Sequence, residues 1–411
     1  MQSKKFNKSK KSNFKGKRNF SNKFRGKNNN KRGGKNRFGQ ISNADVSKFV
    51  NKVTVPETVE VFVPEHTFSD FLIDERLKKN IIKRGYKTPT PIQDKSIPEA
   101  LKGNDVVGIA NTGTGKTGAF LIPTIHKVLN NPSEKILVVV PTRELALQIN
   151  DEFRAFRMEK MYSVCCVGGM PIYRQIKDLK MNNNFVIGTP GRFKDLIDRK
   201  VLDLSLFNTI VLDEADRMLD MGFVNDMRFM MSQMPENKQT LFFSATLSSE
   251  IEKLIKDFLK NPVKISVKTG DTSKNIEQDV VMVKPGLDKI EVLHDLLISP
   301  EFQKVLIFGR TKHGVEKLSN NLNKRGFKTG SIHGDKRQSQ RQGVLNLFKK
   351  NEIQMLVATD VAARGLDIPD VSHVINYDVP ATHEDYIHRI GRTGRGDKKG
   401  KALTLLESKN K

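Results

Sequence analysis

Apolar and polar positions alternate along this chain in two blocks of the same kind. From about Phe68, short runs of β-branched and aliphatic residues are separated by stretches with helical spacing. The runs Val106 to Ala110, Ile136 to Val140, Phe185 to Gly188, Ile210 to Leu212 and Leu241 to Phe243 predict strands. Thr117 to Leu129 and Leu145 to Phe156 predict helices between them. The pattern pauses over the polar residues 268–275 and then restarts. Val305 to Phe308, Met355 to Ala358, Val374 to Tyr377 and Ala402 to Leu406 predict strands, with helices over Val315 to Lys324 and Gln340 to Lys349. Alternating β and α predicts a parallel sheet covered by helices on both faces. The reading is therefore α/β, with two domains in tandem, residues 46–267 and 276–411, joined by a linker at 268–275.

Residues 1–45 differ in kind. The first 40 residues hold 15 Lys and Arg and no Asp or Glu, with Phe6, Phe14, Phe20, Phe24 and Phe38 scattered among them. Such a segment buries too little apolar surface to offset its chain entropy, and a disordered basic tail is expected. Of the net charge of +25, the tail supplies more than half. A tail of that sign attracts polyanions, and nucleic acid is the first of them. No run is long enough to span a bilayer and the tail has no apolar signal core, so no membrane role and a soluble, cytoplasmic protein are expected. Cys165 and Cys166, the only cysteines, are adjacent in an apolar stretch and are expected to be buried thiols.

Between a predicted strand and a predicted helix lies Ala110-Asn111-Thr112-Gly113-Thr114-Gly115-Lys116-Thr117. That is the context of a phosphate-binding loop. Gly113 and Gly115 let several backbone amides curl toward one anion, and the helix N-terminus adds its own. Lys116 supplies charge to the β- and γ-phosphates, and Thr117 offers a hydroxyl to Mg²⁺. Ala110 stands where the strict pattern has glycine.

Ile210-Val211-Leu212 runs directly into Asp213-Glu214-Ala215-Asp216. Alone, this is as readily a solvated acidic turn as a site. At the C-terminal end of a parallel strand, with a phosphate loop upstream, Asp213 becomes the natural Mg²⁺ partner of Thr117. Glu214 is then placed to orient or deprotonate an attacking water.

Read together, these residues resemble the DEAD-box family of RNA-dependent ATPases in helicase superfamily 2, over roughly Phe68 to Leu406. Gly85-Tyr86-Lys87-Thr88-Pro89-Thr90-Pro91-Ile92-Gln93 is similar to the family's adenine-reading Q motif, with Phe68 as its upstream aromatic. Pro141-Thr142-Arg143-Glu144-Leu145-Ala146, Gly168-Gly169 and Thr189-Pro190-Gly191-Arg192 resemble its RNA-contacting motifs. Ser244-Ala245-Thr246 resembles the motif that couples ATP to strand separation. In the second block, His333-Gly334-Asp335 with Gln338 and Arg341, Ala358-Thr359-Asp360 with Arg364-Gly365-Leu366-Asp367, and His388-Arg389-Ile390-Gly391-Arg392-Thr393-Gly394-Arg395 complete the set.

The resemblance implies two RecA-like domains with ATP and Mg²⁺ between them. It implies nucleotide contacts from Phe68, Thr88, Gln93, the loop Ala110 to Thr117, Gly365 and Asp367. It implies RNA backbone contacts from Arg143, Gly169, Thr189, Gly191, Arg192, Arg341 and Thr359, and coupling through Asp216, Ser244 and Thr246. Arg392 and Arg395 would reach the transferring phosphoryl group only when the domains close; comparable arginine fingers are worth roughly 10³ to 10⁵ in rate. A monomeric core with ribonucleoprotein or ribosome-assembly partners is expected. The alternatives are a superfamily 2 DNA motor and a decayed RNA clamp. The Q motif, Asp216 and the Ser-Ala-Thr run argue against the first. Intact Lys116, Asp213, Glu214 and Arg392 argue against the second.

Overall fold

The computed structural model describes residues 62–111, 113–267, 276–363, 368, 370–394 and 399–407. The tail, the linker and four expected site residues, Thr112, Gly365, Asp367 and Arg395, lie outside the described residues. Two all-parallel sheets form, one from each block. The first has seven strands in the order β3-β4-β2-β5-β6-β1-β7. They are β1 (Val106–Ile109), β2 (Ile136–Val139), β3 (Ser163–Cys166), β4 (Phe185–Gly188), β5 (Thr209–Leu212), β6 (Gln239–Ser244) and β7 (Val263–Ser266). The second has six in the order β10-β11-β9-β12-β13-β8. They are β8 (Ile276–Val283), β9 (Val305–Phe308), β10 (Thr329–Ile332), β11 (Met355–Ala358), β12 (His373–Asn376) and β13 (Gly400–Glu407).

The central strands are apolar on both faces because helices cover both. In β2, Ile136 and Val138 join one core cluster while Leu137 and Val139 join the cluster on the opposite face. In β9, Leu306 and Phe308 pack on one side and Val305 and Ile307 on the other. Cys166 is buried and Cys165 half-buried, both as free thiols. Burial pushes the Cys165 thiol up to about 12. No helix of the described residues is long and apolar enough to cross a membrane.

A parallel sheet sends every strand's C-terminal end to one edge. The segments that follow β1 to β6 therefore emerge together: the phosphate loop, Thr142 and Arg143, Gly168 and Gly169, Thr189 to Arg192, Asp213 to Asp216, and Ala245 with Thr246. Topology alone gathers residues from Ala110 to Thr246 onto one rim.

Candidate functional site

The phosphate loop is anchored at its start by the Ala110 amide, which donates to the Ser244 carbonyl of β6 at 3.0 Å. Gly113 and Gly115 have φ of +82° and +91°, the left-handed region open to glycine. Gly115 is also hemmed in by neighbours, for a Cβ there would sit 2.5 Å from Gln93 Nε2. The helix Lys116–Asn130 starts immediately after it. Lys116 is buried, and its Nζ donates to the Ala110 carbonyl at 2.9 Å, curled back over the loop. Thr114 Oγ1 donates to the Asn111 carbonyl at 2.7 Å.

Gln93, whose amide is expected at an adenine edge, reaches the phosphate loop. Its Nε2 donates to the Gly115 carbonyl at 2.9 Å, and its Oε1 accepts from the Thr90 amide at 3.0 Å. The physical reason is local. Gln93 is the third residue of the helix Pro91–Leu101 and caps the amide that precedes it, which turns the other half of the side chain to the loop. Phe68 is 3% exposed and edge-on to Tyr86, with ring centroids 5.9 Å apart. Tyr86, rather than Phe68, lines the cleft described below. Thr88 is exposed and not on that lining.

At the end of β5, Asp213 is 2% exposed. Burial, reinforced by the neighbouring Glu214 and Asp216 and opposed by Lys116, pushes its carboxyl up to about 6. Glu214 has φ +53°, a strained value for a side chain with a Cβ, and opens the short helix Ala215–Asp220. Its carboxylate accepts from Nη1 of the buried Arg217. Asp216 turns to β6. Its Oδ2 accepts the amides of Ala245 and Thr246 at 3.0 and 3.1 Å, and Ser244 Oγ donates to the Thr246 carbonyl at 2.8 Å. The acidic run is thus split: Asp213 and Glu214 face the cleft, while Asp216 ties it to the neighbouring strand.

A cleft of about 410 Å³ collects these groups. Gly113, Gly115, Lys116, Thr117, Asp213 and Glu214 line it from the first sheet's side. Arg392 and Lys349 line it from the second. Arg392 is 4% exposed. A larger cavity of about 520 Å³ lies elsewhere, against His126, Lys127 and Gln239, and holds none of the expected site residues.

Thr117 and Asp213 are a hydroxyl and a carboxylate, the hard oxygen donors that Mg²⁺ takes while keeping waters and phosphate oxygens for the rest of its shell. Among the described residues no group of three His, Cys, Asp or Glu could hold a metal by itself. The donor set fits an ion shared with a nucleotide.

Along the same rim, Arg143 lies over the glycine pair. A Cβ on Gly169, whose φ is +74°, would meet Arg143 Nη1 at 2.1 Å. Arg192 Nη1 donates to Gln175 Oε1 at 2.9 Å, and both its terminal nitrogens approach the Met170 carbonyl at 3.4 Å. Thr189 precedes the helix Pro190–Asp198, and Gly191 in its first turn has open space where a Cβ would be. Thr359 follows β11, its amide donating to the Ile332 carbonyl at 3.3 Å. Arg341 instead spans the two units, its Nη2 2.9 Å from Glu144 Oε1, which also accepts from Gln338 Nε2 at 3.1 Å.

The sequence reading gave no role to Arg217 or Lys349. For Arg217 the signal was available, because three residues after Glu214 is one helical turn on. Lys349 had none, since it meets the cleft only through the packing of one sheet's helices against the other's.

The family model for DEAD/DEAH box helicases matches residues 90–254, and that for the helicase conserved C-terminal domain matches residues 288–397. The ATP-dependent RNA helicase CshA of Listeria monocytogenes is 46% identical over 343 residues, 83% of this chain and 66% of the relative. The match thus spans just under two thirds of that relative's length. A DEAD box protein from Methanococcus jannaschii is 41% identical in a structural match covering 84% of this chain and 94% of its own, with a TM-score of 0.50. S. cerevisiae Dbp5 bound to RNA and ADP BeF3 is 30% identical, covering 84% of this chain and 90% of its own, with a TM-score of 0.74. Lys116, Asp213 and Glu214 fall inside the first matched domain and Arg392 inside the second, and the chain belongs to the DEAD-box helicase family.

Proposed function

We propose that this protein is an RNA-stimulated ATPase that uses closure of its two domains to separate short RNA duplexes and remodel ribonucleoproteins. The observation that carries the reading is the convergence of Lys116, Thr117, Asp213 and Glu214 from one unit and Arg392 from the other on a single cleft. The likeness to Dbp5 bound to RNA and ADP BeF3 supports a nucleotide- and RNA-dependent role for the paired domains. The functional units are residues 46–267 and 276–411, joined by the linker at 268–275, with the basic tail 1–45 ahead of them.

The chemistry divides among the residues by what each side chain can do. The loop amides and Lys116 hold the β- and γ-phosphates. Thr117 and Asp213 would hold Mg²⁺, which would supply charge neutralisation to the phosphates. Glu214 orients the attacking water and takes its proton as the new P–O bond forms. The bond from the γ-phosphorus to the β–γ bridging oxygen breaks, leaving ADP and phosphate. Arg392, joined by Arg395, stabilises charge on the phosphoryl group in flight. Phe68, Thr88, Gln93, Gly365 and Asp367 serve the base and ribose side, Gln93 through its grip on Gly115.

Arg143, Gly169, Thr189, Gly191, Arg192, Thr359 and Arg341 form the RNA track. Contacts of that kind go to sugar and phosphate and carry little sequence information. The strand is bent on closure, and its partner falls away. The tail acts as an unspecific RNA tether, and the core works as a monomer in the cytoplasm with ribonucleoprotein or ribosome-assembly partners.

The test is Glu214→Gln in an ATPase assay with matched RNA and DNA strands. The variant is expected to keep ATP and RNA binding while turnover falls by about 10² or more, the usual share of a general base. Near-normal turnover would remove Glu214 from its role. Equal stimulation by RNA and DNA would remove RNA from the reading.

A further inference from the structure

Glu214 has a partner that the chemistry above leaves unused. Arg217 sits one turn on in the helix Ala215–Asp220 and is 1% exposed. Its Nη1 donates to Glu214 Oε2, and its amide donates to Asp216 Oδ1 at 3.0 Å. Its Nη2 is buried with no hydrogen-bond partner among the described residues. The guanidinium borders a small void whose other walls come from the second unit: Phe308, Asp360, Asp385, His388, Arg389 and Arg392.

A buried guanidinium nitrogen without an acceptor is costly, so the arrangement favours any state that brings one within reach. The facing wall carries two carboxylates, Asp360 bridged by Arg389 at 2.5 and 2.8 Å and Asp385 accepting from Thr382 Oγ1 at 3.0 Å, and each has further lone pairs to offer. Glu214 is pinned from behind by its left-handed backbone and in front by Arg217. A planar fork can hold one acceptor per nitrogen in fixed directions, which a lysine ammonium on a flexible stem cannot.

We infer that Arg217 is a positioning residue for water activation. One nitrogen aims the Glu214 carboxylate, and the other takes an acceptor from the second unit's wall, so the base is set only when the two units are engaged. The inference rests on the role of Glu214 proposed above. It adds a link from the domain interface to that carboxylate that does not pass through the nucleotide or through Arg392.

The experiment measures RNA-saturated ATP turnover, the KM for ATP, RNA affinity with a non-hydrolysable ATP analogue, and thermal melting. It compares the full-length protein with its Arg217→Met, Arg217→Lys and Glu214→Gln variants. Arg217→Met is expected to lower kcat by about 10- to 100-fold, the scale of a slightly misplaced catalytic group, with KM, RNA affinity and melting close to wild type. Arg217→Lys restores charge but not the fork, and is expected to recover only part of kcat. Wild-type kcat in Arg217→Lys overturns the inference, and it decides the matter if the Met variant does not fold. A kcat loss in Arg217→Met that merely follows lost melting temperature also overturns it. Collapse in Glu214→Gln alongside normal Arg217 variants sinks this inference and leaves the proposed function standing. Near-normal turnover in Glu214→Gln sinks the proposed role of Glu214 instead.

Discussion

Glu144 and Arg341 form an ion pair at 2.9 Å across the two sheets, and both side chains are largely withdrawn from water. Glu144 lies at the start of the helix Arg143–Phe156 and Arg341 in the first turn of the helix Gln338–Lys349. Gln338, one turn before Arg341, joins the same carboxylate. The pair therefore joins the two sheets through the same arginine that is proposed for the RNA track.

A double-mutant cycle separates the two roles. Removing one member of a buried pair strands the other, at a cost of about 3–5 kcal/mol inside a rigid protein. In the domain closure proposed above, that cost appears as weaker closure. Arg341→Ala and Glu144→Ala are each expected to weaken RNA binding in the presence of an ATP analogue. The double variant is expected to be little worse than either, with a coupling of about 1 kcal/mol or more. Strictly additive losses would instead place Arg341 on the RNA alone.

Asp216 gives a second expectation. One carboxylate oxygen serves the amides of both Ala245 and Thr246 and the other that of Arg217, so Asp216→Ala leaves three amides short of an acceptor, at about 1–3 kcal/mol for each that stays buried. The damage falls on the link between β5 and β6, while Asp213 and Glu214 keep their own anchors. Strands separated per ATP hydrolysed should drop more than ATP turnover itself. Equal losses in both would mean that Asp216 supports the site as a whole and not the coupling.

Gly169 and Arg143 are fitted to each other. Gly169→Ala adds a methyl where Arg143 Nη1 now lies and puts a Cβ on a backbone at φ +74°, a strain of about 1–2 kcal/mol. Arg143 must then leave the glycine pair. Single-stranded RNA affinity is expected to fall, and the slope of log affinity against log salt to shrink by about 0.7, the value for one phosphate contact. An unchanged slope would take Arg143 off the RNA backbone.

Nine of the thirteen strands among the described residues are readable as apolar runs. The four that are not, β3, β7, β8 and β10, are the four edge strands of the two sheets. The reason is physical. An inner strand is covered on both faces and flanked on both sides, so an apolar run forms its middle even where its ends are polar, as in β6 with Gln239 and Ser244. An edge strand meets water and alternates, as Val263-Lys264-Ile265-Ser266 does with its exposed Lys264 and Ser266. The site divides in the same way. Loop, acidic run and Gly-Arg segment are contiguous in sequence, and each was legible. Gln93's turn to Gly115, Arg341's pairing with Glu144 and Arg217's hold on Glu214 depend on which side chain meets which after folding, and contiguity does not encode that.

His373 carries the last expectation. It opens β12 with its ring 4.2 Å from the Phe302 centroid and its Nδ1 3.0 Å from Ser372 Oγ. Burial holds its imidazole below the usual range, and Lys401 adds to this against the opposing pull of Glu301 and Glu277. The folded state therefore resists a proton that the unfolded chain accepts near its ordinary value of about 6.5. Where the unfolded state binds more protons, stability rises with pH, so this contribution is present above about 6.5 and is lost as pH falls below it. Thermal melting should decline from about pH 7.5 to about pH 5.5, and His373→Gln should flatten part of that decline because it has no proton to take. If wild type and variant lose the same number of degrees over that interval, His373 is not the group responsible.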